Sequence, residues 1–149
     1  VSNVSASGVA IISDTPDIAN ARIEFENGCV ANLTASRISL KNMRKARFFQ
    51  KDAYISVDYL DKKVEVVKMH DAPEDVGAFD MVLENAQGKK KRIYFDNPEI
   101  PEVNAILMEL ECFADAITNH TPVIVSLQHG LDALEVALKI TELVEKSSQ

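Results

Sequence analysis

Cysteine is scarce: Cys29 and Cys112 are the only two in 149 residues, too few for a disulfide framework. Cys29 falls in a strand-like stretch and Cys112 in a helix-like one, so both read as small core residues. Glycine is scarce as well, with Gly8, Gly28, Gly77, Gly88 and Gly130 making up the whole set. None are spaced as G-x-G-x-x-G or as a P-loop. Phosphate binding at a helix start needs such closely spaced glycines, so the chain is expected to carry no dinucleotide site of its own. No apolar run approaches the length of a membrane span, and no secretory leader is visible. A cytoplasmic protein without a membrane partner is the expectation. Without a leader, the glycosylation-type triplets at Asn3, Asn32 and Asn119 read as chance matches. Basic residues are outnumbered, 16 Lys and Arg against 23 Asp and Glu, for a net charge of −7. That balance repels phosphate backbones, which argues against nucleic acid as a partner.

What is present is an ordinary globular mixture, 46% hydrophobic and 26% charged. The length predicts a single domain spanning residues 1–149. The first residue is Val1, and a strand-like pattern starts already at Val4. A natural start more often has a loose lead-in. The chain therefore reads as an excised piece of a longer protein, with proteolytic processing as the competing explanation.

The first two thirds read as strands. Residues 4–13 are small and β-branched, and Asp14-Thr15-Pro16-Asp17 is a turn cluster. Residues 20–26 alternate, with Ala21, Ile23 and Phe25 on one face and Arg22, Glu24 and Glu26 on the other. Asn27-Gly28 predicts a two-residue hairpin turn into 29–38. Further strands are expected at 45–50, 53–59, 63–70, 78–85 and 90–96, with a loop at 71–77. Short connections favour antiparallel pairing. From residue 102 the period changes to that of a helix, with a stripe of Val103, Ile106, Leu107, Leu110, Phe113, Ala114 and Ile117. Asn119 and Pro122 end it. Ser126 is a good N-cap for a second helix, whose wide apolar face (Leu127, Leu131, Leu134 and Leu138, flanked by Val136, Ile140 and Val144) implies more than one neighbour. Strands followed by helices predict an α+β domain: a mostly antiparallel open sheet of six to nine strands with helices on one face. The strand 29–38 offers two rows without charge before Arg37. One is Cys29, Ala31, Leu33 and Ala35; the other is Val30, Asn32, Thr34 and Ser36. Whichever row faces outward could meet another protein surface, or simply water.

No catalytic constellation emerges. His70, His120 and His129 have no ligand spacing between them. His70-Asp71 with Glu74 and Asp75 reads as a solvated acidic loop rather than a cation site. The run Lys89-Lys90-Lys91-Arg92 reads as a charged strand edge that discourages aggregation. Arg37, Lys41, Arg44 and Arg47 surround the loop after the third strand. Arginines there could recognise an anionic or hydroxylated ligand, or serve only as surface charge.

The stretch from Asp17 to Arg37 resembles the pattern D-x-A … F-x-N-G-x-x-A-x-L-x-x-S-R. The run Leu110–Ile117, followed by Pro122, Ser126, Gly130 and Leu131, resembles E-x-x-x-F-x-x-A-I … P … S … G-L … A-L-x-V-A-x-x-I. Each motif is moderately specific; their order and spacing are similar to the carboxy-terminal domain of the glucose–fructose oxidoreductase and inositol dehydrogenase (Gfo/Idh/MocA) family over nearly the whole chain. The resemblance implies a fold like the carboxy-terminal domain of glyceraldehyde-3-phosphate dehydrogenase. It implies an enzyme using NAD or NADP on a sugar, cyclitol or nucleotide sugar, whose Rossmann domain and catalytic lysine, histidine and aspartate lie outside this chain. No catalytic, cofactor-binding or metal-binding residue is carried over. Arg37 and Arg44, beside the S-R motif, are the candidate substrate-binding residues. The family also implies a homo-oligomer joined through the open sheet face. A stand-alone binding or assembly module reusing the same sheet is the alternative.

Overall fold

The computed structural model describes residues 1–71 and 81–147. Its elements run β1 (Asn3–Val9), β2 (Ile18–Glu24), β3 (Val30–Ser36), β4 (Lys45–Phe49), β5 (Ala53–Asp58), β6 (Lys63–Asp71), β7 (Val82–Glu84), β8 (Lys90–Asp96), α1 (Ala105–Thr118) and α2 (Leu127–Ser147). The class is α+β as expected, and every strand pairing is antiparallel. The eight strands fall within the anticipated number. They are hydrogen-bonded as two sets, β1-β2-β3 and β4-β5-β6-β8-β7. The chain forms two compact units, one of Val1–Leu40 with Asn104–Gln149, the other of Lys41–Val103.

In the first unit the buried face of the sheet reads across the strands as Val4–Ile23–Ala31, Ala6–Ala21–Leu33 and Gly8–Ala19–Ala35. Val4, Ala21 and Ile23 are buried on it, and Val144 of α2 is buried with them. Gly8 lets the helix come close: a Cβ there would overlap Val144 Cγ1. The Gly8 amide donates to Ser147 Oγ at 3.2 Å. β1 ends at Val9, short of the expected residue 13, because the amides beyond it are taken by a side chain rather than by a strand. The β2–β3 hairpin also differs from the expected two-residue turn. Gly28 N–H donates to Phe25 O and Phe25 N–H to Cys29 O, which makes a three-residue loop. Gly28 alone takes a positive φ, +83°, and Asn27 instead accepts from the Cys29 amide with its side chain.

The helix ends follow from local chemistry. Asn104 caps α1, its side chain accepting from the amides of Ile106 and Leu107, so the helix starts two or three residues later than its apolar stripe suggests. At the other end His120 adopts a left-handed φ of 54°. Its amide donates to Ile117 O, and that of Thr121 donates to Ala116 O. This is a Schellman termination with histidine where glycine is usual. Ser126 caps α2 as expected: His129 N–H donates to Ser126 Oγ, and Ser126 N–H donates to His129 Nδ1.

In the second unit Asp58 closes the β5–β6 turn. Its Oδ1 accepts from the amides of Leu60 and Asp61, and Lys45 Nζ pairs with Oδ2 at 2.7 Å. These contacts lower the Asp58 pKa, the Asp61 amide contributing most, and raise that of Lys45. The expected strand 78–85 is seen as Val82–Glu84. Its first residues, and all but Asp71 of the expected 71–77 loop, lie outside the described residues. Among the described residues no helix is long and apolar enough to cross a membrane.

Candidate substrate-side site and assembly surface

The most organised polar site in the first unit is built on Asp17. The β1–β2 connection curls around its carboxylate. Oδ2 accepts from the amides of Ile11, Ile12 and Ser13 at 2.7–3.0 Å, and Oδ1 accepts from Ser13 Oγ at 2.7 Å. Asp17 is 2% exposed. A carboxylate accepting several amides is stabilised in its charged form. The Ile12 amide contributes most, then those of Ser13 and Ile11, and together they hold the Asp17 pKa far below the usual carboxylate range against an opposing burial effect. Sequence reading had placed Asp17 in a turn without this role. Only its position beside a polar loop hinted at it, because Asp favours local amide capture.

Arg37 joins the same site. Its Nη2 donates to Pro16 O at 2.8 Å and Thr15 Oγ1 at 3.2 Å, its Nε lies 3.5 Å from Asp17 Oδ1, and its amide donates to Asp17 O. The guanidinium is thus committed to the β1–β2 loop on one side, while more than half of the side chain stays open to solvent. Arg44 sits in the other unit, just before β4, where its carbonyl accepts from Tyr59 N–H. Among the described residues its guanidinium makes no hydrogen bond or ion pair.

The histidines have structural surroundings. His120 forms the left-handed end of α1, His129 the reciprocal cap of α2, and His70 meets Tyr94 edge-on at 5.5 Å. The basic run is neutralised locally: Lys89 pairs with Asp71, Lys90 with Glu84 and Lys91 with Asp52, and Arg92 lies over the Tyr94 ring. Lys91 and Asp52 are 2.7 Å apart, which lowers the Asp52 pKa and raises that of Lys91. Among the described residues no cluster of His, Cys, Asp or Glu could hold a metal ion. Both cysteines are exposed, which corrects the expectation of core residues. Cys29 lies at the mouth of the hairpin, and Cys112 lies on α1, where only Ala116 is buried.

The open face of the three-stranded sheet carries the row Val30, Asn32, Thr34 and Ser36; the Cys29–Ala35 row lies on the buried side. Thr34 Oγ1 lies 2.8 Å from Asn20 Oδ1, and Arg22 bridges Glu24 and Asn32. The apolar stripe of α1 is exposed along its length, as are Leu127, Leu131, Leu134 and Leu138 of α2.

Sheet order, helix placement and the two sequence stretches define a class: the carboxy-terminal α+β domain of Gfo/Idh/MocA-type oxidoreductases. The chain is 34% identical over 143 residues to the UDP-N-acetylglucosamine 3-dehydrogenase of Acidithiobacillus ferrooxidans, a match covering 96% of this chain and 42% of that protein. Two structures of that enzyme, GnnA, superpose with TM-scores of 0.80 and 0.78 over 99% of this chain, at 30% and 29% identity and covering 42% and 41% of theirs. An NAD-binding protein from Listeria innocua shares the fold, with a TM-score of 0.62 at 16% identity over 97% of this chain and 43% of its own. The chain thus spans less than half the length of the relatives it matches. No protein-family model matches it. In sequence and fold the chain is the counterpart of the carboxy-terminal part of a Gfo/Idh/MocA oxidoreductase.

Proposed function

We propose that this chain is the substrate-side and assembly domain of a cytoplasmic NAD- or NADP-dependent dehydrogenase that oxidises a nucleotide sugar. The observation that carries the reading is the match to UDP-N-acetylglucosamine 3-dehydrogenase along 96% of the chain. Hydride transfer requires cofactor and substrate to be held in near-attack geometry. With no glycine fingerprint, this domain contributes a wall of the substrate pocket, while a Rossmann domain elsewhere in the protein binds the dinucleotide. Arg44 offers an uncommitted guanidinium suited to an anionic or hydroxylated ligand. Arg37 acts as a positioning residue, fixing the β1–β2 loop through Asp17 and Pro16. The open sheet face, with its uncharged outer row on β3, joins two copies of the protein. An assay of the complete protein against nucleotide sugars, free sugars and cyclitols, each with NAD⁺ and NADP⁺, tests the reading. Reduction of cofactor with a nucleotide sugar supports it; no reduction with any member of the panel overturns it.

A further inference from the structure

β3 is an edge strand, since it stands at the end of the order β1-β2-β3. Exposed edges present unpaired main-chain groups, and proteins usually blunt them with charge, shortness or a covering element. The other edges here follow that rule. β4 carries Lys45 and Arg47, β7 has three residues, and the outer side of β1 meets α2 through the Gly8–Ser147 hydrogen bond. β3 is seven residues long and contains no charge and no proline. Leu33, at its centre, is 48% exposed.

The hydrogen-bond pattern fixes which groups the edge offers. In an antiparallel ladder, residues that bond the neighbour alternate with residues that face away. Phe25 N–H donates to Cys29 O, and Arg37 N–H donates to Asp17 O. Both bonds share the register of Ile23↔Ala31 and Ala21↔Leu33. The main chain of Cys29, Ala31, Leu33, Ala35 and Arg37 therefore turns to β2. That of Val30, Asn32, Thr34 and Ser36 turns outward.

We propose that β3 pairs with β3 of a second copy, antiparallel about a two-fold axis at Leu33. The strand is its own complement in this register. Val30 meets Ser36, Asn32 meets Thr34, Ala31 meets Ala35 and Leu33 meets Leu33. The outward residues Val30, Asn32, Thr34 and Ser36 then fall opposite one another, as hydrogen-bonded pairs require, and about eight main-chain bonds form. Leu33 and Ala31 continue the apolar side of the sheet across the junction, and Asn32 and Thr34 continue the polar side. A two-fold axis uses one patch twice, so the pairing closes as a dimer rather than growing into a fibre. Such an edge contact is distinct from the face contact in the functional proposal and does not depend on the reaction.

The test uses the complete protein. Asn32→Pro removes an outward N–H without touching the β2–β3 ladder, a position where edge strands tolerate proline. Sedimentation should show a dimer for the parent and a monomer for this variant, with unchanged circular dichroism. A second arm places one cysteine in a Cys29→Ser, Cys112→Ser background. Leu33→Cys should form a covalent dimer on mild oxidation, because it faces its own copy. Ala31→Cys should not, because it faces Ala35. A parent monomer, a dimer indifferent to Asn32→Pro, or a Leu33→Cys protein that does not cross-link each overturns the proposal. So does a dimer that is lost with Thr34→Lys yet survives Asn32→Pro, which would mark the face contact instead.

Discussion

Val144 fills the space that any side chain on Gly8 would need. A Cβ on Gly8 would collide with Val144 Cγ1 and crowd Ile18 O and Pro16. This contact seats α2 on β1, next to the hydrogen bond from Gly8 N–H to Ser147 Oγ.

Gly8→Ala is expected to destabilise the protein by about 1–3 kcal/mol, the usual cost of overpacking. Gly130→Ala is the counterpart. Nothing lies within 4 Å of that added carbon, and alanine in a helix is favoured by roughly 1 kcal/mol. Thermal unfolding of the two variants should therefore shift in opposite directions. A Gly8→Ala protein as stable as the parent would mean that α2 does not sit on β1 in this way.

Asp17 should make stability fall in acid. Its folded pKa is depressed by the Ile12, Ser13 and Ile11 amides. The stabilisation is therefore fully present above the unfolded value of about 3.9 and is lost as pH drops toward the folded one. Urea midpoints measured from pH 7 down to pH 3 should decline for the parent. Asp17→Asn should start lower at pH 7 and decline less. Parallel curves for the two proteins would remove Asp17 from the account.

The α2 cap gives a substitution pair with opposite signs. Ser126→Ala removes the oxygen that accepts from His129 N–H and should cost about 1 kcal/mol. His129→Glu restores the common capping-box partner for Ser126 N–H, and its charge suits a helix start, so stability should hold or rise. A loss of stability in His129→Glu equal to that of Ser126→Ala would contradict the reciprocal geometry.

Kinetics separate the two arginines in the complete enzyme. Arg44→Ala should raise KM for the sugar while leaving stability unchanged. Arg37→Ala should lower the thermal midpoint as well, because it also frees the loop held at Pro16 and Asp17. If neither variant changes KM, neither guanidinium lies on the substrate side.

Much of the fold could be read from the chain because its signals are local. Ser126 preceded a helical stripe, Asn27-Gly28 stood between two alternating runs, and the change of period near residue 102 marked the passage from strand to helix. The misreadings came from interactions that a pattern does not encode. Residues 10–13 look like strand, yet Asp17 captures their amides from several residues away. Cys29 and Cys112 look like core residues, yet both stand at surfaces, since hydropathy does not say which part of an element is covered. The division of the strands into two sets depends on pairing between hairpins, which no local window reports. Arg37 was flagged for its place beside Ser36, but its bonds to Pro16 and Thr15 arise only once β2 and β3 are in register.

The central claim is that this domain serves a nicotinamide-dependent oxidation of a nucleotide sugar. Its most direct test supplies the complete protein with oxidised cofactor and UDP-N-acetylglucosamine carrying deuterium on carbon 3, and weighs the nicotinamide by mass spectrometry. The account predicts reduced cofactor bearing the deuterium. Turnover that leaves the cofactor unlabelled, or no reduction of either NAD⁺ or NADP⁺, would contradict it.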